Sequence, residues 1–196
     1  ALSAEPTTPA LDPAQGKPNT VAGMVLGTVT SGGDQTLSAA GAISFTQLTS
    51  TGASITVASS ASSITGGNVY AFNNANLAAF ASNTGATITT ANGAITLSGS
   101  LANWDSLTSG GAVAATSTSG SVTLDTVNAG TTLGLTSASG MTLGTMTSGG
   151  NQTIIAAGNI GFTQLNSTAG SVSATSTSGA IAGGSVSAFN TAALAA

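Results

Sequence analysis

Apolar residues recur along this chain two apart, in short bursts separated by small and polar residues. Met24 and Leu26, Ile43 and Phe45, Ile95 and Leu97, Val122 and Leu124, and Ile160 and Phe162 each place two side chains on one face of an extended strand. Three residues further on there is often another apolar residue, Val29, Leu48, Val127, Met146 or Leu165, and then a turn such as TSGG, NAG or STAG. A second short strand follows, carrying Leu37, Ile55 and Val57, Ile88, Val113, Leu133 and Leu135, Ile154 or Val172, before Ser, Ala and Gly close the circuit. Each circuit therefore reads strand, turn, strand, turn. One circuit cannot bury its apolar face alone. Stacking circuits at the inter-strand spacing of about 4.8 Å buries a continuous core and pairs each backbone with the next coil. A helical reading suits only a stretch such as NNANLAAFAS, because elsewhere Thr, Ser, Gly and Val dominate and the apolar spacing is two.

An internal repeat supports the same architecture. The segment 24–79 returns at 141–196, an offset of 117 residues from Met24 to Met141, with 33 of 56 paired positions identical. Within that unit, Gly23, Gly41, Gly67, Gly93, Gly120, Gly140, Gly158 and Gly184 mark a shorter beat with intervals of 18 to 27 residues. The reading is an all-β parallel β-helix of about eight coils, each 18–27 residues long. Such a stack forms a rod of about 38 Å at about 4.8 Å per coil. Its expected interior includes Leu26, Ile43, Phe45, Ile95, Leu97, Val122, Leu124, Leu143, Ile160 and Phe162. The longer intervals are expected to hold an inserted loop, because ANLAAFAS from Ala75 aligns with ANWDSLTS from Ala102. That alignment sets Leu77 beside Trp104 and Phe80 beside Leu107 at a corner.

All four prolines, Pro6, Pro9, Pro13 and Pro18, and the one basic residue, Lys17, fall within 1–22, which reads as a linker or edge cap ahead of the repeat array at 23–196. Ala196 corresponds to Ala79 in the middle of the unit, so further copies are expected in a longer protein.

Composition narrows function by exclusion. Charged residues make up 3% of the chain, while Ala, Gly, Ser and Thr supply 124 of 196 residues, so the surface is rich in hydroxyls and almost free of charge. With one Lys, no Arg and no His, the chain lacks the charge to neutralise phosphates, which argues against nucleic acid and against an anionic membrane surface. No apolar run is long enough for membrane insertion as a helix. Cys is absent, which removes disulfides and thiolate metal sites and suits export through a cell envelope.

Coils in which Gly is followed by an alternating segment, a small-residue turn and a second short strand, such as GSVTLDTVNAGTTLGLTSASG from Gly120, resemble the repeat region of filamentous haemagglutinin-like proteins. These are large two-partner-secreted exoproteins. The likeness covers Gly23 to Ala196 and rests on composition and beat. It implies a right-handed parallel β-helix in an elongated bacterial fibre, extracellular or at the cell surface and associated with the outer membrane. It also implies roles in adhesion, aggregation or biofilm cohesion. The implied partners are further copies or other chains, end to end or side by side, and a polysaccharide or host surface. The chain lacks the family's amino-terminal secretion domain and its Asn-Pro motifs.

Candidate chemistry is sparse. Asp34, Asp105 and Asp125 are the only carboxylates of the array; they fall on different coils, and Asp34 becomes Asn151 in the second copy, which argues against catalysis by paired acids. Three scattered Asp fall short of the six to eight oxygens that calcium takes, so no metal and no cofactor is expected. TSGG at 30–33 and 147–150 lacks the GK[ST] of a phosphate loop and reads as a corner in which Gly takes positive φ. Trp104 with Asn103 and Asp105 suggests a platform for a sugar ring, and Tyr70 a second one, although packing at a corner is the simpler role for both. A Thr-rich strand face suggests binding of ice or of a matrix polysaccharide. The outward residues Ser44, Thr96, Thr123, Thr142 and Gly161 do not form an unbroken Thr ladder.

Overall fold

The computed structural model describes residues 23–196, so the expected linker or edge cap at 1–22 lies outside the described residues. Each circuit is a long strand followed by a short one. In chain order the pairs are β1 (Met24–Ser31) with β2 (Gln35–Ala39), β3 (Ile43–Ser50) with β4 (Ile55–Ser59), β5 (Ile64–Ala71) with β6 (Ala75–Ala79), β7 (Ser82–Thr90) with β8 (Ile95–Gly99), and β9 (Leu101–Ser109) with β10 (Val113–Ser117). They continue as β11 (Val122–Ala129) with β12 (Leu133–Ser137), β13 (Met141–Ser148) with β14 (Gln152–Ala156), β15 (Ile160–Ser167) with β16 (Val172–Ser176), and β17 (Ile181–Ala188) with β18 (Ala192–Ala195). The long strands stack into one nine-stranded sheet and the short strands into another, every pair parallel. Among the described residues the fold is all-β, a parallel solenoid of nine turns.

The described residues form nine coils, close to the expected number of about eight, and the coil lengths are more even than the glycine beat suggested. Met24, Ile43, Ile64, Asn83, Ala102, Val122, Met141, Ile160 and Ile181 form one ladder column, so successive coils advance by only 19 to 21 residues. The 117-residue unit is six such coils. Glycine misleads because it occupies three different places. Gly23 and Gly140 precede a long strand, Gly67 and Gly184 lie within β5 and β17, and Gly93 lies at the opposite corner, between β7 and β8. Ile95 and Leu97 consequently belong to the short-strand sheet, and Ile88 to the long-strand sheet.

There is no inserted loop. ANLAAFAS begins in β6, where Leu77 pairs with Leu97, whereas ANWDSLTS lies in β9, where Trp104 pairs with Gly85 and Leu124. Leu77 and Trp104 stand in different sheets, and Phe80 is 69% exposed while Leu107 is buried.

Within a long strand such as β3 the inward residues are the first, third, sixth and eighth; the fourth and fifth both face out. The strand bends there and its alternation changes phase. Numbering positions from the first inward residue, column six runs Val29, Leu48, Val69, Ile88, Leu107, Val127, Met146, Leu165 and Val186, an apolar seam down the rod. Among the interior residues expected from the sequence, Ile43, Ile95, Val122 and Leu124 are fully buried and Phe45, Leu97, Leu143, Ile160 and Phe162 nearly so, while Leu26, on the first coil, is half-buried. Each buried Leu, Ile or Phe contributes about 1.5–3 kcal/mol relative to exposure.

The corners are held by side-chain oxygens. At the eighth position Ser50 and Ser167 donate to the carbonyls of Gly33 and Gly150, each at 2.7 Å. At the other corner Ser59 and Ser176 donate to Gly41 at 2.8 Å and Gly158 at 2.9 Å. The expectation that TSGG glycines take positive φ is corrected: Gly32, Gly33, Gly149 and Gly150 all lie outside the left-handed region. Gly149 is required for a different reason, because a Cβ there would run into the carbonyl oxygen of Gly130 on the previous coil.

Candidate functional site

Trp104 is 1% exposed, so it offers no face to a sugar. Its indole points into the solenoid from the third position of β9 and Nε1 donates to Asn83 Oδ1 at 3.3 Å, deep in the core. Asn83 in turn donates from Nδ2 to the carbonyls of Leu77 at 2.7 Å and Ser98 at 3.2 Å. This buried amide has no counterpart in the other coils, where the equivalent residue is apolar. Strand alternation turns Asn103 and Asp105 outward on either side of the buried ring. The three residues grouped from the sequence therefore do not converge, and Tyr70, 39% exposed, lies two coils away from them.

The structure brings two of the three carboxylates together, which the sequence reading did not anticipate. Asp105 and Asp125 hold the same place on consecutive coils, between the pairs Trp104 with Leu124 and Ser106 with Thr126. They lie at the bend and are exposed. Among the described residues no group of three or more potential metal ligands forms. Asp34 is elsewhere, at a corner, where its Oδ1 accepts the Ser54 N–H at 2.9 Å. Asn151 does the same for Ser171 at 2.9 Å, so the Asp to Asn exchange between copies preserves an acceptor oxygen.

A more extensive constellation lies on the outside of the long-strand sheet. Position five runs Thr28, Gln47, Asn68, Thr87, Ser106, Thr126, Thr145, Gln164 and Ser185, and position seven runs Thr30, Thr49, Tyr70, Thr89, Thr108, Asn128, Thr147, Asn166 and Ser187. None of these side chains is buried, none is charged, and each is both a hydrogen-bond donor and an acceptor. The sequence reading missed these columns because it sampled residues from different ones. Ser44, Thr123, Thr142 and Gly161 stand at position two, before the bend, and Thr96 belongs to the other sheet. The signal in the sequence was a polar–apolar–polar triplet centred on each column-six residue, as in TVT at 28–30 and TMT at 145–147.

The outer face of the short-strand sheet is less uniform. There Ala58, Ala78, Ala114, Gly134 and Ile155 interrupt the polar residues. No protein-family model, curated protein or solved structure matches this chain.

Proposed function

We propose that this chain is a shaft segment of a bacterial extracellular or cell-surface filament, an adhesin or matrix fibre that acts through reach and display and performs no catalysis. The observation that carries the reading is the unbroken parallel register across all nine coils around one apolar seam. Such a stack grows by adding coils, and the 117-residue repeat is growth by six coils at a time. Eight steps at about 4.8 Å span about 38 Å. Of the three carboxylates in the array, Asp34 already serves a corner. The resemblance of the coils to filamentous haemagglutinin-like repeats agrees with this role.

Electron microscopy of the full-length secreted protein tests it. The expected image is a thin rod, shortened by about 29 Å when one 117-residue unit is deleted in frame, with weaker cell aggregation. A compact particle, or a deletion that leaves the length unchanged, refutes the shaft. A second reading, a solenoid that binds a ligand on its outer face, is favoured by the two uncharged polar columns on the long-strand sheet.

A further inference from the structure

We propose that the outward columns at positions five and seven of the long-strand sheet form an ice-binding face. The inference names a ligand for the second reading above and is independent of the shaft reading. Its first support is chemical. Thr fills nine of the eighteen positions, whereas it makes up 33 of the 196 residues of the chain, so these columns are enriched well beyond the general Thr content. Thr presents a hydroxyl and a methyl together. The hydroxyl holds a water molecule and the methyl limits the ways its neighbours can arrange.

The second support is geometric. The parallel register sets neighbouring side chains in one column about 4.8 Å apart, and the two-residue step along an extended strand separates the columns by about 6.6 Å. The result is a two-dimensional grid with spacings comparable to the repeats of oxygen atoms in ice. The grid is held rigidly, because the residue between the two columns is locked in the core: Ile88, Leu107, Val127 and Met146 are fully buried. The most regular part spans four consecutive coils, from Thr87 and Thr89 to Thr145 and Thr147. Tyr70, on the coil before Thr89, interrupts it on one side.

Charge selects the occupant. The face is uncharged and presents hydrogen-bonding groups at every coil; its nearest charges, Asp105 and Asp125, precede it at the bend. An anionic or cationic polymer finds no counter-charge there. A soluble ligand is usually held in a concave pocket, whereas this surface is an extended sheet face. A neutral, periodic, hydrogen-bonding solid complements it, and ice is that solid for short hydroxyl-bearing side chains in a rigid array. Because the array is already ordered, little conformational freedom is lost on contact. The opposite sheet offers an internal control, since Ala, Gly and Ile break its columns.

The test measures thermal hysteresis and partitioning into a growing ice front for the whole chain and for two double variants. Thr108→Lys with Thr126→Lys alters the proposed face on coils five and six, and Thr116→Lys with Thr136→Lys alters the opposite face of the same coils. Circular dichroism establishes that each variant is folded. The expected result is hysteresis and ice partitioning in the parent, their loss in the first variant and their retention in the second. A folded parent without either activity overturns the proposal, as does an equal loss in both variants. Binding to crystalline cellulose that depends on Thr108 and Thr126, without hysteresis, also overturns it and assigns the face to a neutral polysaccharide. A rod-shaped molecule lacking hysteresis leaves the shaft reading intact, so failures of the two proposals are distinguishable.

Discussion

The indole of Trp104 fills the space that a side chain on Gly85 would need. A Cβ at Gly85 would collide with Cη2 and Cζ3 of the ring and lie 2.7 Å from the Gly66 carbonyl oxygen. Gly66, one coil further, is approached from its other side by the ring of Phe45. Column three thus runs Phe45, Gly66, Gly85, Trp104: two large rings on the outside and two missing side chains between them. The second copy repeats the start of this arrangement in Phe162 and Gly183.

Gly85→Ala is expected to destabilise the solenoid by about 1–3 kcal/mol, the usual cost of overpacking a filled core. Urea unfolding monitored by circular dichroism measures it, a probe that does not depend on Trp104, the single tryptophan. Trp104→Leu creates space at the same point, so the double variant loses less than the sum of the single losses. Strict additivity contradicts the steric account.

Asp34→Asn is expected to leave stability within about 0.5 kcal/mol, because Asn151 already fills the equivalent role toward Ser171. Asp34→Ala removes the acceptor for Ser54 N–H and costs about 0.5–1.5 kcal/mol. A large loss on Asp34→Asn, read from the urea midpoint, would show that the charge matters and not only the oxygen.

Gln152 is 1% exposed, and its Nε2 donates to the carbonyls of Met146 at 3.1 Å and Asn166 at 2.7 Å, while its Oε1 has no partner. Gln152→Glu places a carboxyl against two carbonyl oxygens in a dry interior. Burial and those oxygens both favour the protonated form, which raises the folded-state pKa above the unfolded value of about 4.3. The neutral form is therefore favoured in the folded state. The variant keeps its stability below about pH 4.3 and loses it as pH rises through the folded-state pKa. Melting temperatures across that range should fall for the variant relative to the parent. A parallel pH dependence for the two proteins would place this side chain in contact with water.

Ser167 donates to the Gly150 carbonyl and accepts the N–H of buried Gly170 at 3.0 Å. Ser167→Ala leaves that N–H without a partner and costs about 1–3 kcal/mol in chemical denaturation. An unchanged midpoint would mean that water replaces the hydroxyl at this corner.

The stacked-strand architecture was legible because it depends on local periodicity. Ile43 with Phe45 and Val122 with Leu124 alternate at the strand period, and each pair needs a neighbouring coil to cover it. The coil boundaries were harder to read. Gly67 and Gly93 look alike in the sequence, yet one lies within a strand and the other at a corner, and only pairing with neighbouring coils separates these roles. The outer Thr columns were obscured by the bend at positions four and five, which shifts the alternation by one residue partway along each strand.

Trp104 shows the same division. Its apolar character and position in an alternating segment pointed to packing, and it is packed. Its partners include Gly85, Gly66 and Asn83, between 19 and 38 residues away, and its neighbours along the sheet are Gly85 and Leu124 and not the Leu77 suggested by local similarity. The sequence by itself determined that strands form, that they repeat and that their apolar faces turn inward, since these depend on side-chain order along one strand. Only the tertiary structure decided which residues become neighbours, because in a parallel stack each contact joins residues a full coil apart and one residue of register changes every partner.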